Sequence, residues 1–174
     1  MNKQKLRHYY KEKLAKLTPI EKKNQTTMIN HQLSTWLNNH HPKKLGVFYP
    51  QQSEPNIWPI IKPYAETNDI YMPKFNKATK HYHWAKFNHQ LEMGQFNIPE
   101  PTSPVDNSLT LCACLVPALA IDSQLNRLGY GFGYFDRLLS TSITHRIGIV
   151  FNCQISSKNF PVDHWDIPLT QILK

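Results

Sequence analysis

Three of the six glycines in this 174-residue chain fall in the five positions from Gly129 to Gly133. They belong to the run Arg127-Leu128-Gly129-Tyr130-Gly131-Phe132-Gly133-Tyr134-Phe135-Asp136-Arg137. Alternate glycines admit positive φ at little steric cost, so successive backbone N–H groups can turn toward one point. A concave run of donors suits phosphate oxygens. Arginines flank the run, and Asp136 is placed to meet a metal or to orient one of them. The spacing is neither G-x-G-x-x-G nor a P-loop, which needs G-K-[ST]. By itself it fits an anion site or a plain glycine-rich turn.

The rest of the chain supplies an α/β frame for that loop. Leu6, Tyr10, Leu14 and Leu17 recur at helical spacing and predict a helix over 3–17. Lys3 and Arg7 share another face of it, either a solvated basic face or a seat for polyphosphate. Thr18-Pro19-Ile20-Glu21 carries a capping box with proline at the first helical position, and His40-His41-Pro42 ends that second helix. Leu45–Tyr49 reads as a buried strand, and 50–55 as the loop at its carboxyl end, where ligands of open α/β sheets sit. Glu54 is the one acid in that loop. Helical spacing returns over 57–66, and further strands are expected at 70–73, 81–87, 109–116, 146–151 and 167–173. A helix is expected from Gly133 to Ser140, and the proline-rich stretch 99–104 reads as a surface crossover. The order predicts a single layered α/β domain over residues 1–174.

Composition removes several classes. No apolar run approaches membrane-spanning length, and the amino terminus lacks an apolar signal core, so a cytoplasmic protein is expected. Three cysteines argue against a disulfide framework. Cys112 and Cys114 are expected as two small buried residues on one strand face. His81 and His83 also share a strand face, without a third ligand nearby. The formal charge of +8, with eight of the twenty Lys and Arg in the first 23 residues, favours anionic partners. No recognised nucleic-acid module accompanies it.

Val116-Pro117-Ala118-Leu119-Ala120-Ile121-Asp122, followed by the glycine run, resembles the signature of the 5-formyltetrahydrofolate cyclo-ligase (methenyltetrahydrofolate synthetase) family. Ala118, Ile121 and Phe135 are mild departures from that pattern. Lys3-Gln4-Lys5-Leu6-Arg7, Val47-Phe48-Tyr49-Pro50 with Glu54, Asn97-Ile98-Pro99-Glu100-Pro101 and Arg146-Ile147-Gly148-Ile149 are similar to further family segments, in the family's order. Near the carboxyl end Trp165 replaces a usual histidine, and Thr170 stands where an acid associated with metal is expected.

The resemblance implies a mainly parallel central sheet flanked by helices. It also implies ATP-dependent ring closure of 5-formyltetrahydrofolate, with ATP and Mg2+ required and no side-chain nucleophile. Carried onto this chain, it assigns ATP binding to Lys3, Gln4, Lys5, Leu6 and Arg7 and to the run Arg127, Leu128, Gly129, Tyr130, Gly131, Phe132, Gly133, Tyr134, Phe135 and Asp136. Arg127 would stabilise the transition state and Asp136 would meet the metal. Tyr49 and Glu54 would hold the folate, with Tyr130, Phe132 and Tyr134 stacking on the pterin or walling the pocket. The expected partner is the small-molecule folate, with a monomeric protein and neither nucleic acid nor membrane. Two alternatives keep part of the pattern: another phosphate-binding α/β enzyme, and a basic nucleic-acid-binding module.

Overall fold

A computed structural model describes residues 2–139 and 142–174. Two helices open the chain, α1 (Lys3–Ala15) and α2 (Pro19–His40). Tyr10 and Leu14 on α1 are buried, with Leu6 and Leu17 packed against the same core, so the predicted stripe is the inner face. At the start of α2, Glu21 N–H donates to Thr18 Oγ1 (3.2 Å) and Thr18 N–H donates to the Glu21 carboxylate (2.8 Å). This satisfies amides that a helix end otherwise leaves unpaired. His41 closes α2 in the left-handed region, at φ 44°.

Then follow β1 (Lys44–Gly46), α3 (Trp58–Tyr64), β2 (Asp69–Asn76), β3 (His81–Lys86), β4 (Leu91–Met93) and β5 (Pro99–Pro101). After these come β6 (Ala113–Pro117), β7 (Ala120–Ile121), β8 (Arg127–Leu128), α4 (Tyr134–Leu138), β9 (His145–Ile149) and β10 (Gln171–Leu173). The main sheet runs β10-β9-β6-β1-β2-β3, parallel throughout except for the β2–β3 hairpin at one edge.

The sequence of β6 shows why this sheet is covered on both sides. Ala113 and Leu115 belong to the core shared with α1, α2 and α3, whereas Cys114 and Val116 belong to a second core with Trp84, Leu138 and Ile143. A strand buried on both faces needs a continuous apolar run rather than alternation. Gly46 fits that crowding: a Cβ there would lie 2.7 Å from Leu111 and 2.9 Å from Trp84.

Several expectations are corrected. Cys112 is exposed, because β6 begins at Ala113; only Cys114 is a buried small residue of that pair. The stretch from residue 99 is no plain crossover: β5 pairs with β4, and Glu100 and Pro101 are buried. The last strand is limited to β10, and just before it Thr170 Oγ1 bonds the backbone of Arg146 (2.9 and 3.1 Å). The glycine run leads from the β7–β8 hairpin, not directly from the central strand, into a five-residue helix. Ser140, the expected end of that helix, lies outside the described residues.

Candidate functional site

Along the sheet, the chain moves from β1 outward to β2 in one direction and from β6 outward to β9 in the other. The β1/β6 boundary is therefore the point where the winding reverses, and ligands bind outside the carboxyl ends of strands at such points. Phe48 and Tyr49 leave β1 there and Pro117 ends β6 there, and all three line a cavity of about 330 Å³. That volume is at the lower end of small-molecule sites.

The glycine loop forms one wall, gripped by two guanidinium groups from distant segments. Arg7 of α1 donates Nε–H to the carbonyl of Gly129 (2.9 Å) and packs against Gly131, where a Cβ would lie 3.4 Å from its guanidinium carbon. Arg127 of β8 pairs through Nη2 with Asp136 Oδ1 (2.5 Å), and a Cβ on Gly129 would lie 3.0 Å from its Nη1. Gly131 has φ 112° and Gly133 φ 65°, conformations that favour glycine. Among the described residues the Nε–H of Arg127 is buried without a partner. An unmet buried donor carries a desolvation cost that an incoming oxygen anion would relieve. The aromatic ring of Phe135 lies under the same guanidinium (5.8 Å).

The opposite wall carries Glu54, whose carboxylate accepts the N–H of Gln51 (2.8 Å). Desolvation pushes its carboxyl up to about 7, against the opposing pull of that amide. The Tyr130 phenol is pushed up by desolvation and by the neighbouring Glu54 charge, against the pull of Ser53 beside its buried hydroxyl. Tyr49, Glu54, Tyr130, Phe132 and Tyr134, the expected folate positions, all line this one cavity.

The expected nucleotide positions are more dispersed. Arg7, Arg127, Asp136 and the glycines converge. The Lys3 ammonium instead lies 2.6 Å from both Asp163 and Asp166. Gln4 and Lys5 are exposed, Leu6 packs on the core, and Leu128 is buried with its carbonyl accepting from Leu119 N–H (2.9 Å). Trp84 is a core residue whose indole donates to the carbonyl of Leu138 (3.4 Å).

Among the described residues no three His, Cys, Asp or Glu side chains cluster as a metal cage. Asp136 offers one carboxylate, already shared with Arg127. That donor set fits magnesium, which holds few protein ligands and completes its shell with phosphate and water. It does not fit an ion held by protein alone.

Two contributors escaped the sequence reading, and a third, Glu100, was named there only as part of a family-like segment. Phe96 stacks on Phe132 (5.6 Å between centroids) and lies tilted against Tyr134 (5.7 Å), closing an aromatic clasp across the cavity mouth. Tyr82 lines the wall, its buried hydroxyl facing the Glu100 carboxyl. Glu100 is buried just behind. The alternation of β3 put Tyr82 opposite the histidines, but no local signal gives what that face meets.

Cavities in this position serve α/β enzymes with small-molecule ligands, and the paired guanidinium groups select anionic ones. The sequence pattern of the 5-formyltetrahydrofolate cyclo-ligase family matches residues 1–174, and the chain belongs to that family. The Haemophilus influenzae 5-formyltetrahydrofolate cyclo-ligase is 27% identical over 169 residues, covering 91% of this chain and 90% of that protein. The NMR structure of Aquifex aeolicus 5,10-methenyltetrahydrofolate synthetase superposes with TM-score 0.85 at 25% identity, covering 99% of this chain and 89% of that one. The Mycoplasma pneumoniae 5,10-methenyltetrahydrofolate synthetase shares the fold, with TM-score 0.78 at 22% identity over 99% of this chain and 98% of that one.

Proposed function

We infer that this chain is an ATP-dependent cyclo-ligase that converts 5-formyltetrahydrofolate to 5,10-methenyltetrahydrofolate, ADP and phosphate. The observation that carries this reading is that one glycine loop serves both halves of the site. Arg7 bonds its backbone and Arg127 packs beside Gly129, while its aromatic side chains wall the cavity that Glu54 lines.

The chemistry follows from what must leave. The formyl oxygen is a poor leaving group. Its attack on the γ-phosphorus of ATP expels ADP and makes it a phosphate ester. N10 then attacks the activated carbon and loses its proton, and phosphate departs with the former formyl oxygen. The new carbon–nitrogen bond closes the ring. Such a reaction asks for positioning and charge stabilisation rather than a nucleophilic side chain.

In this assignment Arg127 and Arg7 receive the phosphate oxygens, together with backbone N–H groups of the loop from Gly129 to Gly133. Arginine suits the role because its planar fork matches phosphate. Magnesium would be held by phosphate oxygens, water and Asp136, and would supply further charge neutralisation there. Tyr49, Tyr130, Phe132 and Tyr134 hold the pterin, and Glu54 receives its ring N–H and amino donors. The protein is assigned as a cytoplasmic monomer acting on a free small molecule, with no nucleic-acid or membrane partner. Among the described residues no helix is long and apolar enough to cross a membrane.

Purified protein with magnesium-ATP and 5-formyltetrahydrofolate should generate the methenyl chromophore, and omission of ATP should abolish it. Folded protein that gives no chromophore would remove the reading.

Glu54 gives this assignment a pH signature. With its carboxyl raised to about 7, free Glu54 is part protonated at neutral pH. Pterin donors favour the ionised form, so the folate KM should fall as pH rises through about 7. Folding should respond in the opposite sense: stability falls as pH rises from 4.5 to about 7, because the unfolded chain releases a proton that Glu54 in the folded protein still holds. Glu54→Gln should flatten the KM profile and leave the ATP KM nearly unchanged. An inflection that persists in Glu54→Gln belongs to another group and contradicts the assignment.

A further inference from the structure

The turn between β4 and β5 holds two successive non-glycine residues in the left-handed region, Phe96 at φ 58° and Asn97 at φ 56°. Side chains rarely adopt that backbone, and a strained pair persists only where its surroundings over-determine it. Within the turn Gly94 N–H bonds Ile98 O (3.0 Å) and Ile98 N–H bonds Gln95 O (3.3 Å). These local bonds close the turn but do not tie it to the body of the protein.

That tie comes from Glu100. It is 4% exposed, and its Oε2 accepts the N–H of Phe75 on β2 (3.1 Å). The turn is built directly against the same carboxyl group: a Cβ on Gly94 would lie 2.1 Å from Glu100 Cδ. Desolvation raises the Glu100 carboxyl and the Phe75 and Gln95 amides pull the other way; the hydrogen bond from β2 is that of Phe75, the turn meets the carboxyl by packing at Gly94, and the Tyr82 hydroxyl faces it from β3. Lys74 Nζ adds a second fastening from β2 to the ribbon, donating to Pro101 O (2.8 Å) and Glu92 (3.0 Å). A buried acid with this arrangement is costly unless its contacts are kept together. What it keeps in place is Phe96, whose ring lies against Phe132 and Tyr134 over the cavity.

We propose that Glu100 is a positioning residue for folate: it anchors the 94–97 turn to β2 and so holds Phe96 in the aromatic clasp that closes the cavity. It touches neither substrate, and its effect passes through the turn. The inference deepens the cyclo-ligase reading and rests on it for the identity of the substrate.

The test combines kinetics with a measurement that needs no substrate. Glu100→Ala should raise the folate KM about tenfold while the ATP KM stays within about twofold, because only the clasp is released. Glu100→Gln keeps an acceptor for the Phe75 and Gln95 amides and should restore the folate KM to near the wild-type value. Asn97→Gly, which makes the left-handed turn inexpensive, should recover most of the loss in Glu100→Ala. If Glu100→Ala folds poorly, Gly94→Ala pushes the turn off the carboxyl and should give the same split between the two KM values. In free protein, amide exchange at residues 95–98 should accelerate in Glu100→Ala and not in Glu100→Gln. Unchanged exchange in Glu100→Ala, or an equal rise of both KM values, would overturn the role of Glu100. Absence of turnover in wild-type protein would instead strike the cyclo-ligase reading, and the exchange comparison would still decide whether Glu100 holds the turn.

Discussion

Replacing Arg127 by alanine is expected to lower kcat by about 10²–10³-fold, the cost of removing one preorganised donor from a transition state with developing charge. The side chain is 5% exposed and its partner Asp136 21% exposed. Truncation therefore removes a desolvated cation while leaving Asp136 within reach of water. The loss should appear in turnover more than in folding, and a thermal midpoint within a few degrees of wild type would accompany it. Arg127→Lys should recover little, because an ammonium cannot hold Asp136, the Pro117 carbonyl and a phosphate oxygen from one plane. Steady-state kinetics at saturating ATP and folate decide this. A kcat for Arg127→Ala within threefold of wild type would show that the guanidinium serves the fold alone.

Gly131→Val should be the most damaging change in the loop. Residue 131 has φ 112°, a region that a β-branched side chain cannot enter without strain. The new Cβ would lie in contact with the Arg7 guanidinium, 3.4 Å away, so the added Cγ atoms and the strained φ both act where Arg7 holds the Gly129 carbonyl. The expected result is an ATP KM raised by at least about tenfold, as one charge-assisted contact is lost. Residue 131 is exposed, so thermal stability should fall little. Gly133→Ala is the milder comparison: a Cβ there meets nothing within 4 Å, and only its φ of 65° resists substitution. Equal effects of the two changes on the ATP KM would mean that backbone strain, not displacement of Arg7, governs the site.

Local chemistry made part of the molecule legible in the sequence. The capping box at Thr18 and the Leu6–Tyr10–Leu14 stripe are set by neighbours three or four residues apart, and both are present. The glycine run announced a loop with unusual φ values, and the resemblance placed two arginines on it. The β7–β8 hairpin was not legible, because it depends on Asp122. That buried carboxylate accepts the N–H groups of Gln124 (2.9 Å) and Asn126 (2.8 Å), but also that of Phe160 (2.7 Å), from far along the chain. Proline at 99 and 101 obscured β5, since proline argues against a central strand but is tolerated in a two-stranded ribbon. The helical register of Lys3 with Arg7 left a solvated basic face and a polyphosphate seat both open; the ammonium lies against Asp163 and Asp166, a contact that no local pattern contains. The clasp residue Phe96 was hidden for the same reason: its partners Phe132 and Tyr134 come from the glycine loop.

The account stands on phosphoryl transfer to the formyl oxygen inside the cavity between Glu54 and the glycine loop. The most direct measurement follows that atom. 5-Formyltetrahydrofolate labelled with ¹⁸O in its formyl group, incubated with the protein and magnesium-ATP, should release inorganic phosphate carrying one labelled oxygen for each methenyl product formed. Unlabelled phosphate, with the label released as water, would contradict the account, because the formyl oxygen would then have left without becoming a phosphate ester.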